Sequence, residues 1–179
     1  MSTSYLDKSF FELFDFDVAF GIDIEQLNLR YRALQQRFHP DKFANSDQRD
    51  QRIALQVSAH INEAYTALSS PLKRAQYLLS LSGVDASGEH TTTHDTGFLM
   101  QQIMLREQLE EVSDAADPEA AIDALRASVD QTSQAMIASF EECYANAQFS
   151  EAVVVVARLQ FLFKLILEID AVEERLLDY

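Results

Sequence analysis

The sequence contains few of the residues that shape disulfide-linked or turn-rich proteins. Among its 179 residues there is one cysteine, Cys143, and there are only four glycines and three prolines. A single cysteine excludes a disulfide framework and any CxxC metal site within the chain, and it suits a reducing compartment. The scarcity of glycine and proline argues against an all-β fold with many tight turns. Because 47% of the residues are hydrophobic, the chain can still bury a core.

The sequence also shows no sign of a targeting or membrane segment. The stretch MSTSYLDKSFFELF carries Asp7 and Glu12 and has no basic region followed by an apolar run, unlike a secretory signal. The most apolar segment, residues 152–167, is interrupted by Arg158, Gln160 and Lys164, which argues against a membrane span. We therefore expect a cytoplasmic protein without a membrane partner.

Positive charge is scarce in the second half of the chain. The formal net charge is −15, which disfavours nucleic acid and anionic membranes as partners. Residues 1–83 hold ten acidic and nine basic side chains, whereas residues 84–179 hold nineteen acidic and five basic side chains. Three of the four glycines and a Ser/Thr/His cluster lie in residues 81–97. These shifts predict a domain over residues 1–82, a linker over 83–97 and a second domain over 98–179.

Hydrophobic periodicity predicts that the first domain is helical. One face of a helix carries Leu27, Tyr31, Leu34 and Phe38, and a further helix beginning near residues 46–48 carries Val57, Ile61, Ala64, Tyr65 and Leu68. We expect Tyr31, Phe38, Tyr65 and Leu68 to be core residues. Ser70-Pro71 predicts the start of a short fourth helix, because serine caps helices and proline is tolerated in the first turn.

Three longer helices are predicted in the second domain. The first runs from about Thr96 to Ser113, and the second follows the cap signature Asp117-Pro118-Glu119 and ends near Asn146. Ser150 is predicted to cap the third, which runs nearly to Tyr179. The β-branched run at residues 153–156 is assigned to this helix, because no partner strand is evident and helical periodicity continues beyond it. The predicted fold class is all-α.

The tripeptide His39-Pro40-Asp41 directly follows a basic helix. Proline has no amide hydrogen and disfavours helical backbone angles in the residue before it, so we expect the helix to stop at His39. A turn would then display the imidazole and the carboxylate together. Arg30 and Arg37 share another face of the helix, with Arg32 nearby, and Lys42 follows the turn.

Other interpretations of these residues are open from sequence alone. His39 and Asp41 could form a general base with its orienting carboxylate, but no nucleophile, glycine-rich phosphate loop or second carboxylate pair accompanies them. A basic helix can be only a solvated face. A DNA-binding helix-turn-helix over residues 25–68 conflicts with the charge balance. We interpret His60 as a surface or packing histidine, and we expect no metal site at His90 and His94.

The helix predicted from residue 98 has apolar residues on two faces. At about 100° per residue, one face carries Phe98, Leu105, Leu109 and Val112, and the other carries Leu99, Met100, Ile103 and Met104, together with Glu107 and Glu111. One apolar face suffices for packing in a three-helix bundle. The second face is therefore a candidate exposed patch for binding a protein. The alternative is a central helix with both faces buried.

Roughly the first 80 residues resemble the J domain of DnaJ-type co-chaperones. The matching residues are Tyr31, His39-Pro40-Asp41-Lys42, Ile61-Asn62-Glu63-Ala64-Tyr65, Leu68, Pro71-Leu72-Lys73-Arg74-Ala75 and Tyr77. The resemblance implies a helical hairpin that docks on an ATP-bound chaperone of the DnaK class and stimulates its ATP hydrolysis. The chaperone-binding residues would be His39, Pro40, Asp41, Lys42, Arg30, Arg32 and Arg37. The cations among them would steer the encounter with an acidic surface.

Nearly the whole chain is similar to the HscB-type co-chaperones of iron–sulfur cluster biogenesis. The second half contributes FLM…LRE.LEE from residue 98 and EERLLDY at residues 173–179. The resemblance implies the chaperone HscA as one partner and the scaffold protein IscU as the client. The client-binding patch would comprise Leu99, Met100, Ile103, Met104, Glu107, Glu111 and Phe161, although Met104 stands where the family often has an acid. Residues 137–157 look longer and more hydrophobic than is usual in this family.

The resemblance implies no enzyme activity, and so no catalytic residue, cofactor, metal or small-molecule substrate. The alternative function is that of a general J-domain co-chaperone with another client, which differs from the first interpretation only in the second domain.

Overall fold

The computed structural model describes residues 3–86 and 96–177, and every regular element within those residues is helical. This confirms the all-α prediction. The α-helices are α1 (Phe10–Leu13), α2 (Ile24–Phe38), α3 (Gln48–Ser69), α4 (Pro71–Leu81), α5 (Thr96–Glu111), α6 (Pro118–Ala145) and α7 (Phe149–Leu177). Short 3-10 turns cover Thr3–Tyr5, Pro40–Phe43 and Val112–Asp114.

Most of these helices begin where a side chain bonds to a free backbone amide. Asp23, Asp47 and Asp117 each accept a hydrogen bond from the amide three residues later, at 3.0, 2.7 and 3.1 Å. Ser9 and Glu12 form a reciprocal capping box on α1, and the hydrogen bond from the Ser9 amide lowers the pKa of the Glu12 carboxyl. Ser70 accepts from the Lys73 amide at 3.4 Å, as the Ser70-Pro71 signature predicted.

The predicted cap of α7 was wrong by two positions. Ser150 lies inside the first turn, because α7 already begins at Phe149. Asn146 ends α6, Ala147 reverses the chain with a left-handed φ of 54°, and the Gln148 carbonyl accepts the first helical bond, from Ala152, at 3.0 Å. A left-handed alanine gave no sequence signal, since glycine or asparagine is usual there. The run at 153–156 is helical, as predicted.

The chain divides into two compact units, residues 1–81 and 82–179. The domain limits expected from the sequence stay a prediction, and residues 87–95 of the expected linker lie outside the described residues.

The first unit is built on an antiparallel hairpin of α2 and α3, with α1 and α4 packed on α3. Its largest fully buried side chains are Phe11, Phe14, Leu27, Val57, Ile61, Leu68, Leu78 and Leu79. The buried Arg74 donates to the Leu68 carbonyl at 3.1 Å and lies over the Phe20 ring. The hairpin therefore presents the end of α2 and the start of the α2–α3 connection on a rigid base.

The second unit is a three-helix bundle in which α6 and α7 form a long antiparallel pair and α5 packs against them. Its core contains Leu109, Val112, Ile122, Leu125, Val129, Leu162, Leu165, Ile169 and Val172. Arg126 on α6 bonds to Asp170 and Glu173 on α7 at 2.7 and 2.6 Å. These contacts, led by the hydrogen bond to Asp170, raise the pKa of the Arg126 guanidinium.

Residues 137–157, which had no functional account from sequence, take part in packing at the α6–α7 connection. Phe140 is fully buried, and its ring stacks on Tyr144 at a centroid distance of 5.8 Å. The Tyr144 hydroxyl lies 3.3 Å from the Ser82 hydroxyl, and Gln160 donates to the Ala86 carbonyl at 3.4 Å. Residues 82–86 therefore cover part of this apolar surface.

Candidate binding surfaces

The tripeptide His39-Pro40-Asp41, here called the HPD turn, lies where α2 stops. Phe38 is the last residue of α2, His39 has an extended ψ of 128°, and Pro40 begins a 3-10 turn. The turn expected from the sequence is thus a short 3-10 helix. Proline explains both features, since it ends the α-helix before it and is tolerated at the start of the next element.

Local hydrogen bonds fix the HPD turn while the His39 and Asp41 side chains stay exposed. The His39 Nδ1 accepts from the Asp41 amide at 3.3 Å, and the Lys42 amide donates to the His39 carbonyl at 3.0 Å. The same Nδ1 lies 3.5 Å from the Asp41 carboxylate, and the two side chains are 53% and 89% exposed. In the tautomer whose Nδ1 accepts this bond, the ring proton is on Nε2, where it can donate to a partner.

The basic residues around the turn do not form one patch. Arg32 lies about 160° around α2 from Arg30, because two residues turn a helix by about 200°. The sequence interpretation that placed Arg32 near Arg30 and Arg37 was therefore wrong. The side chains of Arg32 and Lys42 are exposed and make no ion pair or hydrogen bond with the residues that the structure describes. They are the cations most available to an acidic partner.

The Arg30 side chain bonds to residues of its own unit. Its guanidinium donates to the carbonyls of Phe14 and Asp15, the latter at 2.8 Å, and lies 4.6 Å from the centre of the Phe16 ring. Asp15 has a left-handed φ of 52°, so Arg30 holds a strained connection after α1. Arg37 donates to the Tyr5 hydroxyl at 3.0 Å, a contact that no sequence pattern indicated.

Two of the four expected core residues of the hairpin are only half-buried. Phe38 and Leu68 are buried, at 5% and 0% exposure. Tyr31 and Tyr65 instead stack on each other across the hairpin, with centroids 4.0 Å apart, and their hydroxyls donate to Asn62 and Asn28. Tyrosine rings at the edge of a helix pair bury their faces, while their hydroxyls remain near solvent and form hydrogen bonds.

His60 is a packing histidine, as expected. Its Nε2 lies 3.1 Å from the Lys8 carbonyl, and its ring contacts Phe10 at a centroid distance of 5.6 Å.

In the second unit, α5 buries one apolar face and exposes the other, as predicted. Phe98, Leu109 and Val112 are buried, with exposures of 8%, 9% and 3%. The opposite residues Leu99, Met100, Ile103 and Met104 are 49%, 58%, 53% and 53% exposed, and we call these four the α5 outer face. Glu107 and Glu111 are exposed on the same side. Half-exposed aliphatic side chains in one contiguous group are typical of a protein-binding surface.

Phe161, the α7 residue of the expected client-binding patch, packs against the core of the bundle. It is half-buried on α7, and its ring meets Phe98 edge-on at 5.8 Å. The Arg106 guanidinium lies 5.5 Å from the centre of the Phe161 ring, and Arg158 lies equally far from that of Phe98. The sequence interpretation missed Arg106, because it gave no signal beyond being the one cation of α5.

Within the described parts of the chain, no group of three or more His, Cys, Asp or Glu side chains could hold a metal ion. His90 and His94, considered as a metal pair from the sequence, lie outside those residues. None of the described helices is long and apolar enough to cross a membrane.

Comparison with known proteins assigns the chain to a family. Residues 94–170 match the model described as the HSCB C-terminal oligomerisation domain. A co-chaperone protein HscB homolog of Vibrio vulnificus is 43% identical over 166 residues, covering 93% of this chain and 97% of that protein. One of Shewanella baltica is 42% identical over 173 residues, covering 95% and 99%.

Solved structures show the same fold over both units. Chaperone HscB from Vibrio cholerae matches with a TM-score of 0.86 and 40% identity, covering 94% of this chain and 99% of that one. Human co-chaperone protein HscB matches with a TM-score of 0.85 and 26% identity, covering 93% and 82%. With identities above 40% over nearly the full length of two curated relatives, the chain belongs to the HscB family of co-chaperones.

Proposed function

We propose that this co-chaperone stimulates ATP hydrolysis by an HscA-class chaperone and delivers an IscU-like scaffold protein to it during iron–sulfur cluster assembly. The first unit contacts the chaperone, and the second unit holds the client. The protein itself catalyses no reaction, binds no cofactor and takes no small-molecule substrate. It acts in the bacterial cytosol, a reducing compartment that suits its lone cysteine.

The observation that carries the proposal is the exposed HPD turn on a rigid hairpin. The turn holds the His39 imidazole by a hydrogen bond from its own backbone, and the Asp41 carboxylate lies 3.5 Å from the same ring nitrogen. Arg32 on α2 and Lys42 after the turn are exposed cations. An ordered imidazole for specific contacts, with exposed cations for steering, is the arrangement expected of a surface that docks quickly on an acidic partner.

The α5 outer face supports the client half of the proposal. Its four aliphatic residues offer apolar contact, and Glu107 and Glu111 beside them favour a partner segment that combines apolar and basic residues. A patch of this size favours moderate affinity, which permits release of the client after delivery. Both surfaces belong to one chain, so binding of the client raises its effective concentration at the chaperone.

A steady-state ATPase assay tests the proposal. Purified HscA-class chaperone is titrated with this protein, and the rate should rise to a plateau at saturating co-chaperone. An unchanged hydrolysis rate at saturation would overturn the proposal. The client assignment is tested separately by the direct binding of IscU-like scaffold to this protein. ATPase stimulation without scaffold binding would favour a general J-domain co-chaperone with another client.

A further inference from the structure

A small cluster at the end of α2 joins the HPD turn to the beginning of the described chain. Tyr5 ends the 3-10 turn Thr3–Tyr5, and its ring meets the Phe38 ring at a centroid distance of 4.7 Å and an interplanar angle of 61°. The Tyr5 hydroxyl accepts a hydrogen bond from the Arg37 Nη1 at 3.0 Å. The Arg37 guanidinium also lies over both rings, 5.5 Å from the centre of Tyr5 and 5.2 Å from that of Phe38.

We propose that Tyr5 is a positioning residue for chaperone docking, one that holds Arg37 and the last turn of α2 in the conformation that the ATP-driven chaperone binds. The inference rests on the proposed function of the HPD turn, and it adds a residue outside the turn and the basic helix. Tyr5 acts through Arg37 and Phe38, the two residues immediately before His39.

A tyrosine hydroxyl can orient Arg37 and still leave its charge available to the chaperone. A phenol is neutral, so its hydrogen bond fixes the guanidinium without cancelling the positive charge, whereas a carboxylate partner would cancel it. The hydroxyl accepts one of the five N–H groups of Arg37, and the side chain stays exposed. The remaining donors keep the planar geometry that binds carboxylates in pairs. A side chain ordered before docking loses less conformational entropy on binding.

The ring of Tyr5 has a second effect, on the last turn of α2, which precedes the HPD turn. Phe38 is 5% exposed and is the last helical residue before His39. The edge of the Tyr5 ring covers part of its surface, so removing that ring would expose Phe38 and loosen the final turn of α2. The orientation of His39 would then become less defined.

The test is a titration of chaperone ATPase with the full chain, comparing wild type, Tyr5→Phe and Tyr5→Ala. Tyr5→Phe keeps the ring and removes the acceptor, so the half-maximal co-chaperone concentration should rise about threefold, an effect at the low end for one hydrogen bond because this one is exposed to water. Its maximal rate should stay near wild type. Tyr5→Ala should raise the half-maximal concentration about tenfold and lower the maximal rate as well.

A double-mutant cycle separates positioning from a general structural effect. In an Arg37→Ala background, Tyr5→Phe should have no further effect on the half-maximal concentration, because its bonding partner is gone. In an Arg32→Ala background, Tyr5→Phe should keep its full threefold effect, since Arg32 lies on another face of α2.

The outcomes are distinct. If wild type stimulates hydrolysis but Tyr5→Phe matches it, or if the effects of Tyr5→Phe and Arg37→Ala simply add, the positioning role is refuted and the proposed function stands. If wild type gives no stimulation, the proposed function and this inference are both refuted.

Discussion

At the scale of single residues, His39 combines high exposure with few contacts. Within the described residues, its polar contacts beyond α2 are with Asp41 of the same turn and with the amide of Lys42, the next residue. We therefore predict that His39→Gln abolishes ATPase stimulation and shifts the melting temperature by less than about 2 °C, since exposed substitutions rarely change stability much. A stimulation assay and a thermal melt on the same preparation measure both effects.

His60→Gln is the matched control for that variant. His60 packs on Phe10 and contacts the Lys8 carbonyl, away from the HPD turn. This variant should lower the melting temperature while keeping stimulation near wild type at a temperature where it is folded. A large loss of stability in His39→Gln, or a loss of stimulation in His60→Gln, would contradict the separation of roles.

Phe38→Ala should lower stability, unlike His39→Gln. The ring is 5% exposed, and truncation of a buried phenylalanine costs about 3–5 kcal/mol through lost burial and the cavity left behind. Urea denaturation of the variant should show this loss in the free energy of unfolding. Tyr31→Ala, which truncates a half-buried ring on the same helix, should cost less. Equal losses for the two would mean that burial does not distinguish these positions.

The sequence predicted where the HPD turn lies, but it did not predict the hydrogen-bond partners of the neighbouring arginines. Proline acts on its own backbone and that of the preceding residue, so Pro40 alone predicted the end of α2. Arg30 bonds to carbonyls of Phe14 and Asp15, and Arg37 bonds to Tyr5, 32 residues earlier in the chain. Such contacts depend on tertiary packing, which periodicity within one helix does not encode.

At the scale of helices, the sequence predicted the features that depend on residue spacing within one segment. These include the Asp117-Pro118 cap of α6 and the two apolar faces of α5. The start of α7 was misplaced because it depends on the backbone of Ala147 and Gln148 and not on a capping side chain.

The α5 outer face gives a prediction at this scale. A Leu99→Ala/Met100→Ala/Ile103→Ala variant should bind IscU-like scaffold at least tenfold more weakly, because three side chains that are about half-exposed lose their apolar contact with the client. Its free energy of unfolding should change by less than about 1 kcal/mol, since the buried face of α5 is untouched. Titration calorimetry and urea denaturation measure the two quantities.

The control replaces three aliphatic residues on other helices that are somewhat more exposed. Leu29, Leu55 and Leu167 are 64%, 61% and 67% exposed, on α2, α3 and α7. Their simultaneous replacement by alanine removes a comparable amount of exposed apolar surface and should leave scaffold affinity within twofold of wild type. A similar loss in both variants would show that binding depends on general surface hydrophobicity and not on the α5 outer face.

At the scale of the whole molecule, the two units differ in charge and, in the proposed function, also in task. Residues 84–179 carry nineteen acidic and five basic side chains, whereas the first 83 residues are nearly balanced. The exposed cations beside the HPD turn therefore lie in the part of the chain with little net charge. An acidic chaperone surface should be attracted to the first unit and repelled by the second, which favours a single docking orientation.

Two surfaces on one polypeptide predict synergy that each surface alone cannot produce. Co-chaperone and scaffold together should stimulate the chaperone ATPase by more than the product of their separate effects, because the tethered client reaches the chaperone at high effective concentration. The α5 outer-face variant should keep the stimulation seen without scaffold and lose the synergy, whereas His39→Gln should lose both.

Mixing the two variants tests the tether directly, since each then supplies the surface that the other lacks. If the mixture restored full synergy at limiting concentrations, the two surfaces would not need to share one chain, and the delivery role would be refuted.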